Sequence, residues 1–349
     1  MKIAAVGKAF PPHRYSQSEI RAVLEAVWHD RPEVVRRLAT LHEHTTVAWR
    51  DLALPLDAYP GLRTFGAAND AYIRVATEIG ALAVRDALHR AGLTPADVDM
   101  LLFASVTGVA SPSIDARLVV PLGLRPDVRR MPLFGLGCVA GAAGLARAAD
   151  FVRGAPRAVV VLLSVELCSL TFQPDDASLP HLISSGLFGD GAAAVVVGGA
   201  DRELPGPQIV ASRSVFYPDT EHVMGWKVSE RGFEIVLSAA VPEIARTRLG
   251  PDADAFLASV GMTRADIDHW ICHPGGPKVL RGMQESLGLD DDAVALAWDE
   301  LANHGNLSSA SVLMVLGRTL AERRPTPGTH GVLCAMGPGF CAEFVLIRF

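Results

Sequence analysis

Two hydrophobic rhythms alternate along the chain. Short runs such as Val159–Leu163 and Ala192–Val197 are apolar at every position, which predicts strands buried on both faces instead of half-exposed ones. Between such runs lie Ala-rich stretches with helical spacing, the longest being AYIRVATEIGALAVRDALHRAG from Ala71. Doubly buried strands alternating with helices predict an α/β fold with layered sheets.

The pattern also repeats. AGLTPADVDMLLFAS begins at Ala91 and VGMTRADIDHWICHP at Val260, 169 residues later, and each reads as a helix end, an acidic capped turn and a buried strand. GLGCVAGAAGLARAADFV from Gly135 faces NHGNLSSASVLMVLGRTL from Asn303, so Cys138 answers to Asn306. FGDGAAAVVVGG from Phe188 and GPGFCAEFVLIRF from Gly337 are each a Gly-rich turn running into a strand. Three echoes in one order imply two similar halves, residues 1–204 and 205–349, parted near the stretch DRELPGPQ. A single strand-turn-helix device would then hold a cysteine in one half and an asparagine in the other. Pseudo-twofold pairing would bring both turns to one crevice.

Composition narrows the function. The 349 residues are 50% hydrophobic and 20% charged, ordinary for a globular enzyme of two core-building units. A net charge of −6 with scattered basic residues argues against a nucleic-acid partner. No apolar run reaches the ~18 residues of a membrane span. Gly7 and Lys8 interrupt the apolar N-terminus, a poor signal peptide, so a cytoplasmic location is expected. Five cysteines without a C-x-x-C pair offer neither a disulfide framework nor a structural metal site.

The candidate chemistry lies in the repeats. Cys138 stands where a turn with Gly135, Gly137 and Gly141 becomes a helix; the helix N-terminus would favour the reactive thiolate, and the glycines would let a carbonyl approach. Ala142, Ala146 and Ala149 share a helical face suited to close packing. His273 ends an apolar run just before Pro274, Gly275 and Gly276, at a strand end where α/β folds carry chemistry. Asn306, read alone, serves equally well as a helix cap.

The segments GCVAGAAG, HPGGPKVL, LFGDGAAA, GNLSSASVL and GPGF closely resemble those of type III polyketide synthases, the chalcone synthase-like enzymes, from about residue 5 to the C-terminus. The resemblance implies a thiolase-like fold of two duplicated halves in an αβαβα arrangement. Carrier-protein ketoacyl synthases of the initiating type also use Cys, His and Asn, but usually follow the histidine with glutamine, alanine and asparagine, where this chain has Pro274-Gly275-Gly276.

By resemblance, Cys138 takes an acyl group from an acyl-CoA, and His273 with Asn306 stabilises the enolate formed when malonyl-CoA loses carbon dioxide. No cofactor or metal is implied. Thr107, Ser111, Cys168, Thr171, Phe188, Trp226, Ile235, Gly275, Lys278 and Ser308 map onto the substrate pocket, its rim or the adjoining motifs. Ile235 stands where plant enzymes have a gatekeeping phenylalanine, implying a less aromatic mouth, and Ser111 where they have a methionine that reaches the partner subunit's pocket. A homodimer paired around TGVASPSID is implied. ELCSLTFQP and MGWKVSERGFEIVLS resemble bacterial enzymes making alkylpyrones and alkylresorcinols. Tetrahydroxynaphthalene synthases share ELCSL but carry cysteine at Thr171, which turns the expectation towards an acyl starter over malonyl-CoA alone. Acyl carrier protein stands as the alternative donor.

Overall fold

The computed structural model describes residues 1–349. Its centre is a nine-stranded sheet made of two half-sheets. In the first, Lys2–Ala9 runs antiparallel to Asp190–Gly198, which is antiparallel to Val159–Leu167, which is parallel to Met100–Ala104. In the second, Gln208–Phe216 runs antiparallel to Cys341–Arg348, which is antiparallel to His330–Gly337, which is parallel to His269–Cys272. The senses repeat in order, and the half-sheets touch through the pair Lys2 and Gln208. Arg129–Leu133 adds a parallel edge strand to the first half alone.

Strands apolar at every position are those with a core on each face. Along Val159–Leu167, Val160 and Leu162 enter one core, while Val159, Val161, Leu163 and Val165 enter the other. The first core lies between the half-sheets and holds two buried helices, Ala140–Gly154 after Cys138 and Ser309–Arg318 after Asn306. The helix Phe65–Ala91 covers the outer face of the first half-sheet, and Val241–Ala258 with Pro277–Leu287 pack outside the second. The order is helix, sheet, helix, sheet, helix.

The first echo is structurally faithful. Thr94 and Thr263 each open a short turn in which the threonine backbone N–H donates to a carboxylate three residues on, Asp97 at 2.9 Å and Asp266 at 2.7 Å. The second echo departs from expectation. Cys138 follows a strand and its connecting loop, but Asn306 follows the helix Ala295–His304. That segment buries Ala297, Glu300 and Leu301, a helical spacing with a carboxylate in it, which suits no sheet interior.

The two central helices touch where glycine permits it. A Cβ on Gly141 would fall far inside van der Waals contact of the Ser309 carbonyl oxygen, whereas one on Gly154, at the far end of the same helix, would meet nothing within 4 Å. Gly141→Ala should therefore lower the unfolding free energy by about 1–3 kcal/mol, and Gly154→Ala should leave it unchanged or raise it slightly. Thermal unfolding of the pair checks this, and equal behaviour would contradict the packing.

Candidate active site

Cys138 lies on the single turn Gly137–Val139 that winds into its helix. Gly135 and Gly137 adopt φ of 93° and 53°, a left-handed backbone that favours glycine. Gly137 also faces the second half: a Cβ there would lie 2.7 Å from Cγ and Cδ of Pro338, so the GPGF turn closes over the cysteine turn. The polar side chains of Ser308 and Asn306 lie beside the thiol. The structure thus brings Cys138 and Asn306 together, as their equivalence in the repeat requires.

Asn306 is tied down on every side. Its Nδ2 donates to the Gly275 carbonyl at 3.1 Å, and its Oδ1 accepts the Ser308 N–H at 2.8 Å. Its backbone N–H donates to the Leu187 carbonyl at 2.9 Å and its carbonyl accepts from Gly189 at 3.1 Å, straddling Phe188. It is not the helix cap; that position belongs to Ser308, at φ 48°.

His273 follows the strand His269–Cys272, its N–H donating to the Cys334 carbonyl at 3.0 Å. The ring is buried, and neither nitrogen has a hydrogen-bond partner. A Cβ on Gly275 would stand 3.2 Å from ring Cδ2, so glycine keeps this edge of the imidazole clear. Buried polar groups are almost always paired, so an imidazole with two orphaned nitrogens is a place for a ligand oxygen.

Burial pushes the Cys138 thiol up to about 11, with Ser308 opposing it and the Glu166 carboxylate reinforcing it. Burial alone takes His273 down to about 3. The expectation that the helix N-terminus leaves a thiolate is therefore overturned for the free site: desolvation outweighs the dipole. Burial thus holds both groups neutral at pH 7.

The remaining predicted residues divide. Thr107 is buried, its hydroxyl donating to Glu166 at 3.0 Å while accepting the Leu167 N–H at 2.9 Å. Thr107 and Thr171 line a cavity of about 30 Å³ with Phe65, Phe172 and Phe233. Cys168, Thr171 and Phe188 line a second of about 60 Å³ with Tyr59 and Phe172. Thr171 and Phe172 partition the two, each with room for only a few waters. Trp226 and Ile235 are half-buried cross-strand partners on the hairpin Met224–Ser229 and Gly232–Leu237 and line neither. Ser111 and Lys278 are exposed.

Two residues escaped the sequence reading. Glu166 is wholly buried, accepting from Val106 N–H at 3.1 Å, Thr107 and the Ser309 hydroxyl. Burial raises its carboxyl above the usual range. Its signal was a lone charge in the run VVVLLSVEL. Phe233 packs against Phe65, Trp226 and Phe134 at ring-centroid distances of 5.5, 6.0 and 6.3 Å. It lies two residues from Ile235 on the same strand face, so an aromatic ring stands one pleat away from that position.

A buried thiol and two neutral nitrogen donors at the meeting of duplicated halves define a condensing enzyme of the thiolase-like class. Residues 1–201 match the family model for the N-terminal domain of chalcone and stilbene synthases, and 208–349 the model for the C-terminal domain. A 1,3,6,8-tetrahydroxynaphthalene synthase of Streptomyces peucetius subsp. caesius is 51% identical over 99% of this chain and 93% of its own. A phloroglucinol synthase of Pseudomonas fluorescens is 34% identical over 97% and 96%. The crystal structure of 1,3,6,8-tetrahydroxynaphthalene synthase from Streptomyces coelicolor A3(2) superposes with a TM-score of 0.95 at 31% identity, covering 100% of this chain and 99% of that one. The chain belongs to the chalcone and stilbene synthase family, the type III polyketide synthases. It is accordingly an acyltransferase that joins CoA thioesters by decarboxylative condensation, a chemistry that calls for no added cofactor. No helix is long and apolar enough to cross a membrane.

The aromatic wall is testable by truncation. Phe233→Ala should lower the unfolding free energy by about 3 kcal/mol, and Ile235→Ala, at a less buried site, by less. Chemical denaturation of the two variants checks the order, and the reverse order would put the wall at Ile235.

Proposed function

We propose that Cys138 is the acyl-carrying nucleophile and that His273 and Asn306 are its oxyanion donors. The observation that carries this reading is the His273 ring, buried with both nitrogens free, in a loop hydrogen-bonded to Asn306 through Gly275. Attack of Sγ on a CoA thioester passes the thiol proton to the imidazole and then to the departing CoA sulfur. When malonyl-CoA breaks its bond to the carboxylate, carbon dioxide leaves and the electron pair moves onto the thioester oxygen. The imidazole N–H and the carboxamide stabilise that oxygen by roughly 3 kcal/mol each in a dry site. The enolate carbon then attacks the Cys138 thioester carbonyl, the acyl–Sγ bond breaks with Sγ leaving as thiolate, and the chain, now one ketide longer, is held on CoA.

The substrate proposed is malonyl-CoA alone, with 1,3,6,8-tetrahydroxynaphthalene as the product. Ten skeleton carbons correspond to five decarboxylated malonyl units. The 51% identity to a synthase of that name supports this over the acyl starter that Thr171 suggested. Mass spectrometry of products from malonyl-CoA alone should reveal the naphthalene. Products only when a fatty acyl-CoA or an acyl carrier protein is supplied would replace malonyl-CoA with that donor.

Cys138→Ala should abolish acyl loading yet keep malonyl-CoA decarboxylation, and product at the normal rate would sink the nucleophile. His273→Ala should slow iodoacetamide alkylation of Cys138 at pH 7. With the thiol near 11 and no base beside it, alkylation should then climb about tenfold per pH unit across the neutral range. A variant alkylated as fast as the parent at pH 7 would remove His273 from the role of base.

We also propose two halves divided at 204/205 and a homodimer paired around TGVASPSID, with the edge strand Arg129–Leu133 extending that surface. Exposed Met131 and Phe134 support that surface, as does exposed Val109 beside Ser111. Sedimentation showing only monomer at micromolar concentration would refute it.

A further inference from the structure

The asparagine turn is held by a side-chain strut that lies outside both half-sheets. The strand Trp49–Leu52 pairs only with His13–Ser16, yet it reaches across to the residues just ahead of Asn306. Ala48 N–H donates to the Ala302 carbonyl at 2.7 Å, and Asp51 Oδ2 accepts from His304 Nδ1 at 2.7 Å. Asp51 is buried and takes the Arg14 guanidinium at 3.2 Å, and that guanidinium lies 5.8 Å over the Trp49 ring. In this contact the ring N–H donates and the carboxylate oxygen accepts. The Phe10 ring stacks on the imidazole at 4.2 Å and 10°. Hydrogen bond and stack together leave the His304 ring no freedom to rotate.

His304 leads straight into the strained part of the turn. Gly305 has φ 71° and Ser308 φ 48°, so the segment carrying Asn306 is bounded by two left-handed residues. The His304 carbonyl rests against Gly189, where a Cβ could not fit, and Gly189 N–H is the donor to the Asn306 carbonyl. A strained turn keeps its shape only where its surroundings over-determine it. On the Asn306 side that is done by bonds to residues 187, 189 and 275, and on the His304 side by the strut.

We propose that His304 is a positioning residue for the Asn306 carboxamide, acting through Asp51 and Phe10; this rests on the reading of Asn306 as an oxyanion donor. A displaced donor costs transition-state stabilisation without weakening substrate binding, so the loss belongs in kcat.

The test is malonyl-CoA decarboxylation by the full chain. His304→Phe keeps the stack and removes the N–H, His304→Asn keeps an amide donor for Asp51, and Asp51→Leu removes the acceptor. His304→Phe and Asp51→Leu should each lower kcat about tenfold with KM within about twofold, and His304→Asn should recover most of the rate. In an Asn306→Ala background, His304→Phe should change kcat by less than about twofold, since nothing is left to position. Unchanged kcat in both single variants, a His304→Asn as slow as His304→Phe, or a full loss persisting without Asn306 would each overturn the proposal. Should His304→Phe fail to fold, Asp51→Leu decides alone. Normal decarboxylation by Asn306→Ala would instead remove the oxyanion role of Asn306, and the strut with it.

Discussion

The contact between the Gly141 turn of one helix and the Ser309 carbonyl of the other is the constraint on which this molecule depends. Two helices share the space between two half-sheets, and they cross where one has no side chain at all. Each begins at a residue with chemistry before it, Cys138 in one case and Asn306 in the other. Move the crossing by one turn, and thiol and carboxamide no longer share a crevice. The contact also joins the halves laterally: Ser309 hydrogen-bonds Ser164 at 2.6 Å and donates to Glu166, both on a strand of the first half-sheet.

A consequence of building a site in the middle layer is that water is excluded from both sides. Thiol and imidazole are each held neutral by burial, and Glu166 carries its carboxyl on four donors from two segments. In such surroundings a neutral N–H aimed at a developing oxyanion acts in a low dielectric, where its field is little screened. The cost falls on the free enzyme, whose imidazole has no partner. In the proposed mechanism that partner is an oxygen that arrives with the substrate.

The site is supported unequally by its two halves. On the cysteine side a helix with Ala142, Ala146 and Ala149 buried makes a rigid mount. On the asparagine side the preceding element is a helix end with left-handed residues after it, and its anchorage comes from a short strand belonging to neither repeat. Duplication produced the crevice, but the additions to the first half brace the second.

Much was legible in the chain because it depends on local rules. Doubly apolar runs mean strands between two cores, a glycine-flanked cysteine before an alanine helix means a turn against a close neighbour, and capped acidic turns at equal spacing mean duplication. From these alone the layered fold and the shared crevice of Cys138 and Asn306 could be read. What the sequence could not state were quantities set by many distant atoms at once. The ionisation of Cys138 and His273 was decided by burial, which sums over the whole core. The aromatic cluster at Phe233, on the same strand face as Ile235, was hidden because Phe65, Phe134 and Trp226 come to it from three other segments. Asn306 follows a helix, and its turn is braced by Asp51, because long-range hydrogen bonds between residues 253 positions apart leave no period in a sequence.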